Sequence, residues 1–471
     1  MTAAISTIEA LVLLEKETKA DFNTEIYVTG GYVRDFMRKK RNLDIDVVVR
    51  FIPLEDVMAF LKKYGKTKLL RVSQMPGSDP VEFVSFVANG DTLEAQIAHT
   101  KGPVGRPKGT ATLKQDSRHR DFTINAMYLP IGALRADRLI DYTGGKNDIS
   151  ARQLLTVGHA KKQFVRSPIR ILRAFSLAAR TGYTIADHVK HYISECAYLL
   201  KGIPPEPIKN ELVEILMSSK PSVQLRLMAK LGVLKVILPE LDVCFGCSQD
   251  EKYHKYDVFT HLIYTCDNSE CDLVLRLAGL LHDIGKPPAR MEGPDNRVTF
   301  HKHEVYGEKL AGVILKRLRF DNDTIDKVTH LVRMHMYHYT REWTDAGVRK
   351  FITSARITAE DLDNLENLPL FKLRRAERLG NGFKTQATTP RQLDFEKRII
   401  DIYRSSTGFT VKDLAIDGTD LMTYFGMTPG KEIGEVLKYL LDVIIENPDA
   451  NDRKQLLFLA FEFIFNKKEQ K

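Results

Sequence analysis

The chain has 471 residues, of which 43% are hydrophobic and 28% are charged, proportions that exclude a disordered or fibrous protein. Lysine and arginine number 70 against 61 acidic residues, so the formal net charge is +9, which favours an anionic partner such as a nucleic acid. At roughly 100–200 residues per domain the length predicts several domains, and the five cysteines are too few for a disulfide framework.

The first twenty residues predict an amphipathic helix rather than a secretory signal. They lack a basic start and an uninterrupted apolar core, and they contain Glu9, Glu15 and Glu17. No apolar run in the sequence reaches the roughly 18 residues typical of a membrane span. Together with the sparse cysteines, these features predict a cytoplasmic protein with no membrane partner.

The segment YVTGGYVRDFMRKKRNLDIDVVV, residues 27–49, places two glycines and two aspartates between predicted strands. The glycine pair indicates a sharp turn or a close approach to another group. Asp44 and Asp46 alternate along the second strand, so their carboxylates point to one face. Carboxylates this close repel each other, and a shared divalent cation relieves the repulsion. The segment predicts a site for Mg²⁺ and a phosphate chain, although such a pair alone is also typical of a solvated strand edge.

The hydrophobic pattern changes near residue 160. Before it, runs such as EIYVTGG, PVEFVSFVANG and TINAMYLPI predict strands separated by turns. Residues 97–120 are polar, basic and dotted with glycine, and predict a mobile loop beside a binding site. After residue 160, apolar residues recur at three- and four-residue spacing, as in LVLRLAGLLHDIG, which predicts helices packed on helices. We therefore expect an α+β fold with a mixed-sheet head and an all-helical remainder.

Further motifs follow in order: DSRHRDFTINAMYL, LIDYTGGKNDISARQLLTVG, RSPIRILRAFSLAARTGYTI and IPPEPIKNELVEIL. With G-G-x-V-R-D and D-x-D they resemble the class II tRNA nucleotidyltransferase and bacterial poly(A) polymerase family. The resemblance covers nearly the whole chain, because LLHDIGKPPAR is similar to the HD region of many bacterial members and LAIDGTDLMTYFGMTPGKEIGEVL to their tail. It implies a nucleotidyltransferase-fold catalytic head at 1–160, a helical neck at 161–245 for base recognition and RNA binding, an HD-like helical domain at 246–395 and a helical tail at 396–471.

The resemblance also implies a reaction, in which an RNA 3′-hydroxyl attacks the α-phosphate of a nucleoside triphosphate at a two-metal site. Asp44 and Asp46 would hold Mg²⁺, and Glu82 in VEFVSF is the candidate third carboxylate. Asp35 is expected to orient Arg34 rather than bind metal. The implied nucleotide-binding residues are Gly30, Gly31, Arg34, Arg120, Asp121, Ser167, Arg170 and Arg173.

Three places depart from the family's motifs, and one of them is Glu206 with Pro207, where the family has a Glu-Arg pair. His119 replaces the first arginine of an R-R-D motif, which weakens the positive field and makes it pH-dependent. Ser167 replaces the aspartate of the base-reading E-D-x-x-R motif, whereas Arg170 is kept. A hydroxyl can accept from an amine or donate to a carbonyl, so we expect weaker rejection of UTP than a carboxylate gives, or a specificity narrowed to C or A. Ser167 could also cap the following helix.

A second set of candidate ligands is rich in histidine. It comprises His261, His282, Asp283, Lys286, His301, His303, His335 and His338. The resemblance to HD phosphohydrolases adds Glu377, where that family has an aspartate. Such a set can bind a second divalent metal and activate water for phosphoester hydrolysis, for instance of 2′,3′-cyclic phosphates at damaged RNA ends. Each histidine alone is more often a packing or surface residue.

The sequence therefore predicts template-independent addition of C, C and A to the tRNA 3′ end from CTP and ATP. A poly(A) polymerase is one alternative, although residues 69–80 read LLRVSQMPGSDP and lack that enzyme's basic G-R-R-F segment. An enzyme that adds only CC or only A is another, and a phosphohydrolase acting on RNA ends through the histidines is a third. A silent RNA-binding protein is disfavoured by the intact D-x-D. Basic runs at 37–41, 105–110 and 371–378 would contact RNA phosphates.

Overall fold

A computed structural model describes residues 5–72, 81–102, 107–250, 252, 254–293, 298–405 and 410–469. The chain divides into two units, Met1–Pro239 and Glu240–Lys471. This division lies close to the predicted boundary at residue 245, and the finer division into four domains stays a prediction. Residues 69–80, which lack the G-R-R-F motif, lie partly outside the described residues, and so does the basic run at 105–110.

Most strands belong to the first unit. The strands are β1 Glu25–Thr29, β2 Asp44–Arg50, β3 Gly65–Val72, β4 Val81–Ala88, β5 Glu94–His99, β6 Met127–Pro130, β7 Ile140–Asp141, β8 Gln153–Leu154, β9 Thr184–Ile185, β10 Met291–Glu292 and β11 Val298–Thr299. Across the described residues, seven of them form one sheet in the order β3-β4-β5-β2-β1-β6-β7. Only the β2–β5 pair in this sheet is parallel, so the predicted mixed sheet is confirmed.

Alternation along β2 decides which residues face the site. Ile45, Val47 and Val49 are buried in the core of the head, and Asp44 and Asp46 take the alternate positions. Because side chains of a strand point alternately to its two faces, both aspartates lie on the face away from this core. The shared face predicted for the two carboxylates is confirmed.

The first unit also contains twelve described helices. They are α1 Thr7–Phe22, α2 Gly30–Met37, α3 Leu54–Leu61, α4 Leu113–Ser117, α5 Gly145–Ala151, α6 Ala160–Arg166, α7 Ile169–Thr181, α8 Asp187–Cys196, α9 Pro205–Leu216, α10 Pro221–Lys230, α11 Leu234–Ile237 and α12 Pro239–Asp242, the last of which crosses the boundary between the units. The loop prediction for 97–120 is wrong at both ends. Strand β5 continues to His99, and Thr112 starts α4 through a capping box with Gln115.

The second unit is largely helical, as predicted. Its helices are α13 Val258–Asn268, α14 Leu273–Leu281, α15 Lys286–Ala289, α16 His303–Arg317, α17 Asn322–Met334, α18 Asp345–Ser354, α19 Pro369–Gly380, α20 Pro390–Ser405, α21 Gly418–Phe425, α22 Lys431–Glu446 and α23 Arg453–Glu469. Short 3₁₀ helices in the chain are Thr123–Asn125, Ala136–Arg138, Ala197–Gly202, Ala359–Asn367, Val411–Asp413 and Pro448–Ala450. None of the described helices is long and apolar enough to cross a membrane.

Aspartate caps fix where three helices of the second unit begin. The side chains of Asp257, Asp272 and Asp321 accept backbone N–H groups in the first turns of α13, α14 and α17. The caps therefore set the positions of the histidines in and after these helices.

Candidate active site

Asp46 lies against the first turn of α2. A Cβ atom on Gly30 would be 2.1 Å from Oδ2 of Asp46, and Gly30 has a φ of +66°. The backbone N–H of Gly31 donates a hydrogen bond to the Asp46 carboxylate. Only glycine satisfies both the close approach and the left-handed backbone at position 30. The glycine pair and the aspartates, distant in the sequence, thus form one site.

The charged groups around Asp46 indicate whether the site suits a metal ion. The surrounding protein atoms raise the pKa of Asp46, and the carboxylates of Asp121 and Asp44 raise it further. Arg120 and the Gly31 N–H act in the opposite direction. A raised pKa among several carboxylates is the repulsion that a bound cation relieves, and carboxylate oxygens are the ligands that Mg²⁺ prefers. The residues present fit a divalent cation.

Arg34 is almost fully buried beside the glycine pair. Its Nε and Nη2 atoms donate to Asp35 at 3.0 and 2.6 Å, and its Nη1 atom donates to Oδ1 of Asn125 at 2.9 Å. A Cβ on Gly31 would lie 3.5 Å from Nη2 of Arg34. Asp35 therefore holds the Arg34 guanidinium next to the backbone of the glycine pair.

The second motif places Arg120 and Asp121 near the carboxylate pair. Arg120 Nε donates to Oδ2 of Asp116 at 3.1 Å, and its charge lowers the pKa of Asp46. Asp121 Oδ2 accepts from Nη1 of Arg173 at 3.1 Å. Arg120 is therefore fixed by one carboxylate while acting on another.

Glu211 is a residue that the sequence analysis missed. It lies on α9, and its Oε1 accepts from Nε of Arg173 at 3.3 Å, while its Oε2 accepts from the Ser176 hydroxyl. Arg173 is thus held between Asp121 and Glu211. No short motif marks Glu211, because the two elements that meet here are far apart in the sequence.

Arg170 is held by an amide and a backbone carbonyl. Its guanidinium donates to Oε1 of Gln163, and its Nη2 donates to the carbonyl of His119 at 2.6 Å. Gln163 is buried, and its Nε2 donates to the carbonyl of Val157 at 2.6 Å. The amide of Gln163 is therefore fixed in the orientation that presents its oxygen to Arg170. The sequence analysis missed Gln163.

The capping role considered for Ser167 is wrong. Helix α7 begins at Ile169 with Pro168 as the N-cap residue, and no side chain caps it. Within the described residues, the Ser167 hydroxyl makes no hydrogen bond. Its backbone carbonyl accepts from the N–H of Arg170 at 3.1 Å. The hydroxyl of Ser167 therefore has its hydrogen-bonding capacity available for a ligand.

His119 contacts Arg166 through its ring. Its Nδ1 lies 2.6 Å from Nη2 of Arg166. Partial burial lowers the pKa of His119, and the Arg166 charge lowers it further. A neutral His119 ring with an unprotonated Nδ1 accepts from Arg166. The substitution of arginine by histidine thus exchanges a second cation for an acceptor.

We expect Gln163→Ala to raise the KM for the nucleoside triphosphate that the sequence resemblance implies about tenfold, because Arg170 loses an acceptor and the hydrogen bonds of a charged group contribute about 1.5–3 kcal/mol each. Steady-state kinetics of nucleotide incorporation would measure this KM. Gln153→Ala, which removes an exposed glutamine from the same unit, is the matched control. Gln163→Glu keeps an acceptor and should recover most of the loss; an unchanged KM in Gln163→Ala would contradict the assignment.

Glu82 does not join the carboxylate pair, so that prediction is corrected. Strand β5 lies between β4 and β2. Phe83 lies opposite Ala98, which lies opposite Val48, so Glu82 is level with the far end of β2. The Glu82 carboxylate instead pairs with Nζ of Lys108 at 2.6 Å.

Glu94 is the acidic residue that the sheet register places beside the pair. In the parallel β2–β5 ladder, Glu94 lies opposite Asp44 and Gln96 opposite Asp46. The Ser85 hydroxyl donates to Oε1 of Glu94 at 2.7 Å. The alternation of the polar residues Glu94 and Gln96 in the sequence could have indicated a strand with a polar face like that of β2. The sequence analysis did not predict that this strand would pair with β2 in parallel.

A second cluster lies in the other unit and is centred on Asp283. Its Oδ1 lies 3.1 Å from Nε2 of His303 and 3.4 Å from Nε2 of His335. Its Oδ2 lies 3.3 Å from Nε2 of His282 and 3.6 Å from Nε2 of His261. All five residues are buried. Asp283 thus joins two groups of three side chains that could each hold a metal ion.

Backbone carbonyls orient three of these histidine rings. The Nδ1 atoms of His282, His303 and His335 lie 3.0, 2.8 and 2.7 Å from the carbonyls of Gly279, Phe300 and Val332. A ring that donates from Nδ1 to a carbonyl presents an unprotonated Nε2 inward, which is the form that ligates metals. Three converging Nε2 atoms around one carboxylate fit a divalent transition metal.

Besides Lys286, three residues predicted with this cluster lie outside its two groups. His301 and His338 are exposed. Glu377 accepts from Nη1 of Arg374 at 2.9 Å. Burial alone would raise the pKa of Glu377, but Arg374 and the nearby histidines lower it to about 2. Glu377 therefore acts on the cluster through its charge, and the prediction that it completes the ligand set is corrected.

Three comparisons place the chain among known proteins. Families described as "Poly A polymerase head domain", "RNA and SrmB-binding site of polymerase A" and "tRNA nucleotidyltransferase domain 2" match residues 26–155, 182–245 and 304–460. An A-adding tRNA nucleotidyltransferase from Deinococcus radiodurans is 30% identical over 341 residues, covering 70% of this chain and 75% of the relative. A multifunctional CCA protein from a Janthinobacterium strain is 32% identical over 327 residues, covering 66% and 72%. The solved Bacillus stearothermophilus CCA-adding enzyme in complex with CTP has a similar fold, with a TM-score of 0.64, 18% identity and full coverage of both chains.

Proposed function

The chain belongs to the tRNA nucleotidyltransferase family, and from that premise we propose that it rebuilds the 3′-terminal CCA of tRNA from CTP and ATP. The observation that carries the proposal is the contact between the glycine pair and Asp46, with Arg34 beside Gly31 and the Arg120 charge acting on Asp46. This arrangement combines a carboxylate site for a cation with backbone N–H groups and two guanidinium groups for a triphosphate.

Each residue then has a defined task. Asp44 and Asp46 hold the divalent cation, Mg²⁺, which when bound activates the attacking 3′-hydroxyl and stabilises the departing pyrophosphate. Gly30 lets the phosphates approach the backbone, and Arg34 and Arg120 neutralise their charge. Asp121 accepts a hydrogen bond from a ribose hydroxyl, which selects ribonucleotides.

Arg170 and Ser167 read the base. Arg170 donates to a ring nitrogen of cytosine or adenine, and the Ser167 hydroxyl accepts from the exocyclic amine. The hydroxyl can also donate to the carbonyl of uracil, whereas a carboxylate there would be left unpaired. The serine therefore gives a less selective site than the family's aspartate.

We expect Ser167→Asp to raise the ratio of kcat/KM for CTP over UTP about tenfold, because the new carboxylate rejects a carbonyl. Single-nucleotide incorporation with each triphosphate would measure the ratio. Ser176→Asp is unsuitable as a control because it adds a charge in the interior, so Ser150→Asp at an exposed site serves instead. If the natural protein already rejects UTP as strongly as Ser167→Asp does, the role of the hydroxyl is wrong.

A primer-extension experiment tests the main proposal. The protein, Mg²⁺ and tRNA transcripts ending before CCA, after C, after CC and after CCA are combined with one triphosphate at a time. Addition of C, then C, then A, followed by a stop, is the expected result. Repeated addition of A would indicate a poly(A) polymerase, and addition to only some of these ends would indicate a CC-adding or A-adding enzyme.

For the second unit we propose a metal-dependent phosphohydrolase that acts on RNA ends. Its support is the cluster of four histidines around Asp283, with three rings oriented by backbone carbonyls. A bound divalent transition metal would supply an activated water for phosphoester hydrolysis. Lys286, whose Nζ lies 2.7 Å from Oδ2 of Asp283, holds the central carboxylate ionised.

A further inference from the structure

A cationic pocket lies within the second unit next to the histidine cluster. It has a volume of about 450 Å³ and is lined by side chains of the segment after α17 and of α19 and α20, with the residues between these two helices. Four of its lining residues are cations: Arg374, Arg378, Lys384 and Arg391. Among the described residues, no aspartate or glutamate lines it. We call it the cationic pocket.

Most of the positive charge in the cationic pocket is not neutralised. Arg374 is bonded to Glu377, but Nε of Arg378 donates only to a backbone carbonyl, that of Gln386, at 2.7 Å. Across the described residues, no carboxylate forms an ion pair with Lys384 or Arg391. Burial lowers the pKa of Lys384, and the charges of Arg378 and Arg374 lower it further, whereas Glu377 acts in the opposite direction. Four cations gathered around one nearby carboxylate indicate that an anion binds there.

Aromatic side chains form another wall of the pocket. Tyr337, Tyr339 and Phe395 line it, and the rings of Tyr339 and Phe395 stack with centroids 4.2 Å apart. The Tyr337 hydroxyl is buried and has no hydrogen-bond partner among the described residues. A buried hydroxyl without a partner is destabilising, and a ligand that supplies an acceptor would relieve this cost. The ligand therefore carries a flat or apolar part as well as its negative charge.

The pocket is linked to the cluster through Arg374 and its partner Glu377. Arg374 lines the pocket, and its partner Glu377 interacts electrostatically with His282, His335 and His261. Tyr337 follows His335 by two residues. A phosphate held by the four cations would thus lie beside the metal-binding groups.

We propose that the cationic pocket binds a nucleoside phosphate, with the phosphate on the arginines and lysine and the nucleoside against the aromatic wall. Its volume exceeds the needs of inorganic phosphate and lies within the 300–1,000 Å³ typical of small-ligand pockets. The nucleoside phosphate is either a free nucleotide or the phosphorylated 3′ end of an RNA. This inference rests on the proposed phosphohydrolase function, because it assigns that centre its substrate-recognition site.

Trp343 offers a local reporter for the test. It is the only tryptophan in the chain. The centroid of its ring lies 5.8 Å from the ring centroid of Tyr339 and 5.6 Å from that of Phe395. The full-length protein in EDTA is titrated with adenosine 3′-monophosphate, with a short RNA ending in a 3′-phosphate and with adenosine. We expect saturable changes in Trp343 emission with at least one phosphorylated probe and none with adenosine. A response to the RNA but not to the mononucleotide, or the reverse, identifies the source of the ligand.

The double variant Arg378→Gln/Arg391→Gln should raise the dissociation constant at least about tenfold, because two charge-assisted contacts are lost. Arg404→Gln, at an exposed site on the same helix as Arg391, is the matched control and should bind as the natural protein does. Equal affinity in the double variant, or no emission change with either phosphorylated probe, would overturn the inference. Thermal unfolding checks that each variant is folded, and Arg391→Gln alone should weaken binding in the same direction.

Metal removal separates the two proposals. Binding in EDTA without any hydrolysis after metal is restored would retain the pocket and reject the phosphohydrolase. Hydrolysis that is unaffected by Arg378→Gln/Arg391→Gln would retain the phosphohydrolase and reject the pocket as its recognition site.

Discussion

Asp46→Asn is expected to lower the rate of nucleotide addition to tRNA by about 10³-fold or more. The substitution keeps the shape of the side chain and its contact with Gly30 but removes the charge that holds the cation. Loss of an electrostatic contact to the reacting groups typically lowers the rate about 10²–10³-fold. Loss of a metal ligand lowers the rate further because the ion itself is no longer bound. Single-turnover addition of CMP to a tRNA that lacks CCA, measured across a series of Mg²⁺ concentrations, gives the rate.

Glu82→Gln is the matched control for this result. It neutralises an acid on the same sheet, but that acid lies on β4, level with the far end of β2, and pairs with Lys108. Its rate should stay within about twofold of the natural protein, as for most surface substitutions. A large loss in Glu82→Gln, or a small one in Asp46→Asn, would show that the two-carboxylate site has been placed wrongly.

Asp283→Asn is expected to abolish metal binding by the second unit and with it any phosphoester hydrolysis, while nucleotide addition continues. Asp283 is the one residue shared by both groups of candidate ligands. An amide in its place supplies one neutral oxygen to one group and an NH₂ group, which cannot ligate a cation, to the other. Metal content by elemental analysis of the purified protein is the measurement, with Asp46→Asn as a reciprocal variant that keeps this metal.

His303→Ala and His301→Ala form a matched pair for the same test. His303 is buried with its Nε2 3.1 Å from Asp283, whereas His301 is exposed. Metal should be lost from the first variant and retained by the second. Full metal content in both Asp283→Asn and His303→Ala would reject the cluster as a metal site.

Local patterns in the sequence were sufficient for the sheet and for the carboxylate pair. Alternation along DIDVVVR put Asp44 and Asp46 on one face, and the change of periodicity near residue 160 marked the start of the helices. Both are short-range properties of the chain. The position of Glu82 was predicted wrongly because it depends on the order of the strands in the sheet. The alternation of residues within β4 does not reveal that β4 lies two strands away from β2.

Contacts between distant elements explain the remaining differences. Gln163 and Glu211 hold Arg170 and Arg173, but each is an ordinary polar residue of an amphipathic helix when read locally. His303 and His335 were grouped correctly with His282, yet only the packed helices distinguish them from the exposed His301 and His338. Side-chain roles that arise from helix packing therefore needed the structure.

The contact between Gly30 and Asp46 also limits how the gene can change. Every single-base change in a glycine codon that alters the amino acid and does not stop translation introduces a residue with a Cβ atom. At position 30 that atom would lie 2.1 Å from Oδ2 of Asp46, on a backbone with a φ of +66°. Any such residue would displace the Asp46 carboxylate or strain the backbone, so we expect each missense change of this codon to lower activity. In a randomised library selected for growth that depends on this enzyme, codon 30 should return glycine from every surviving clone.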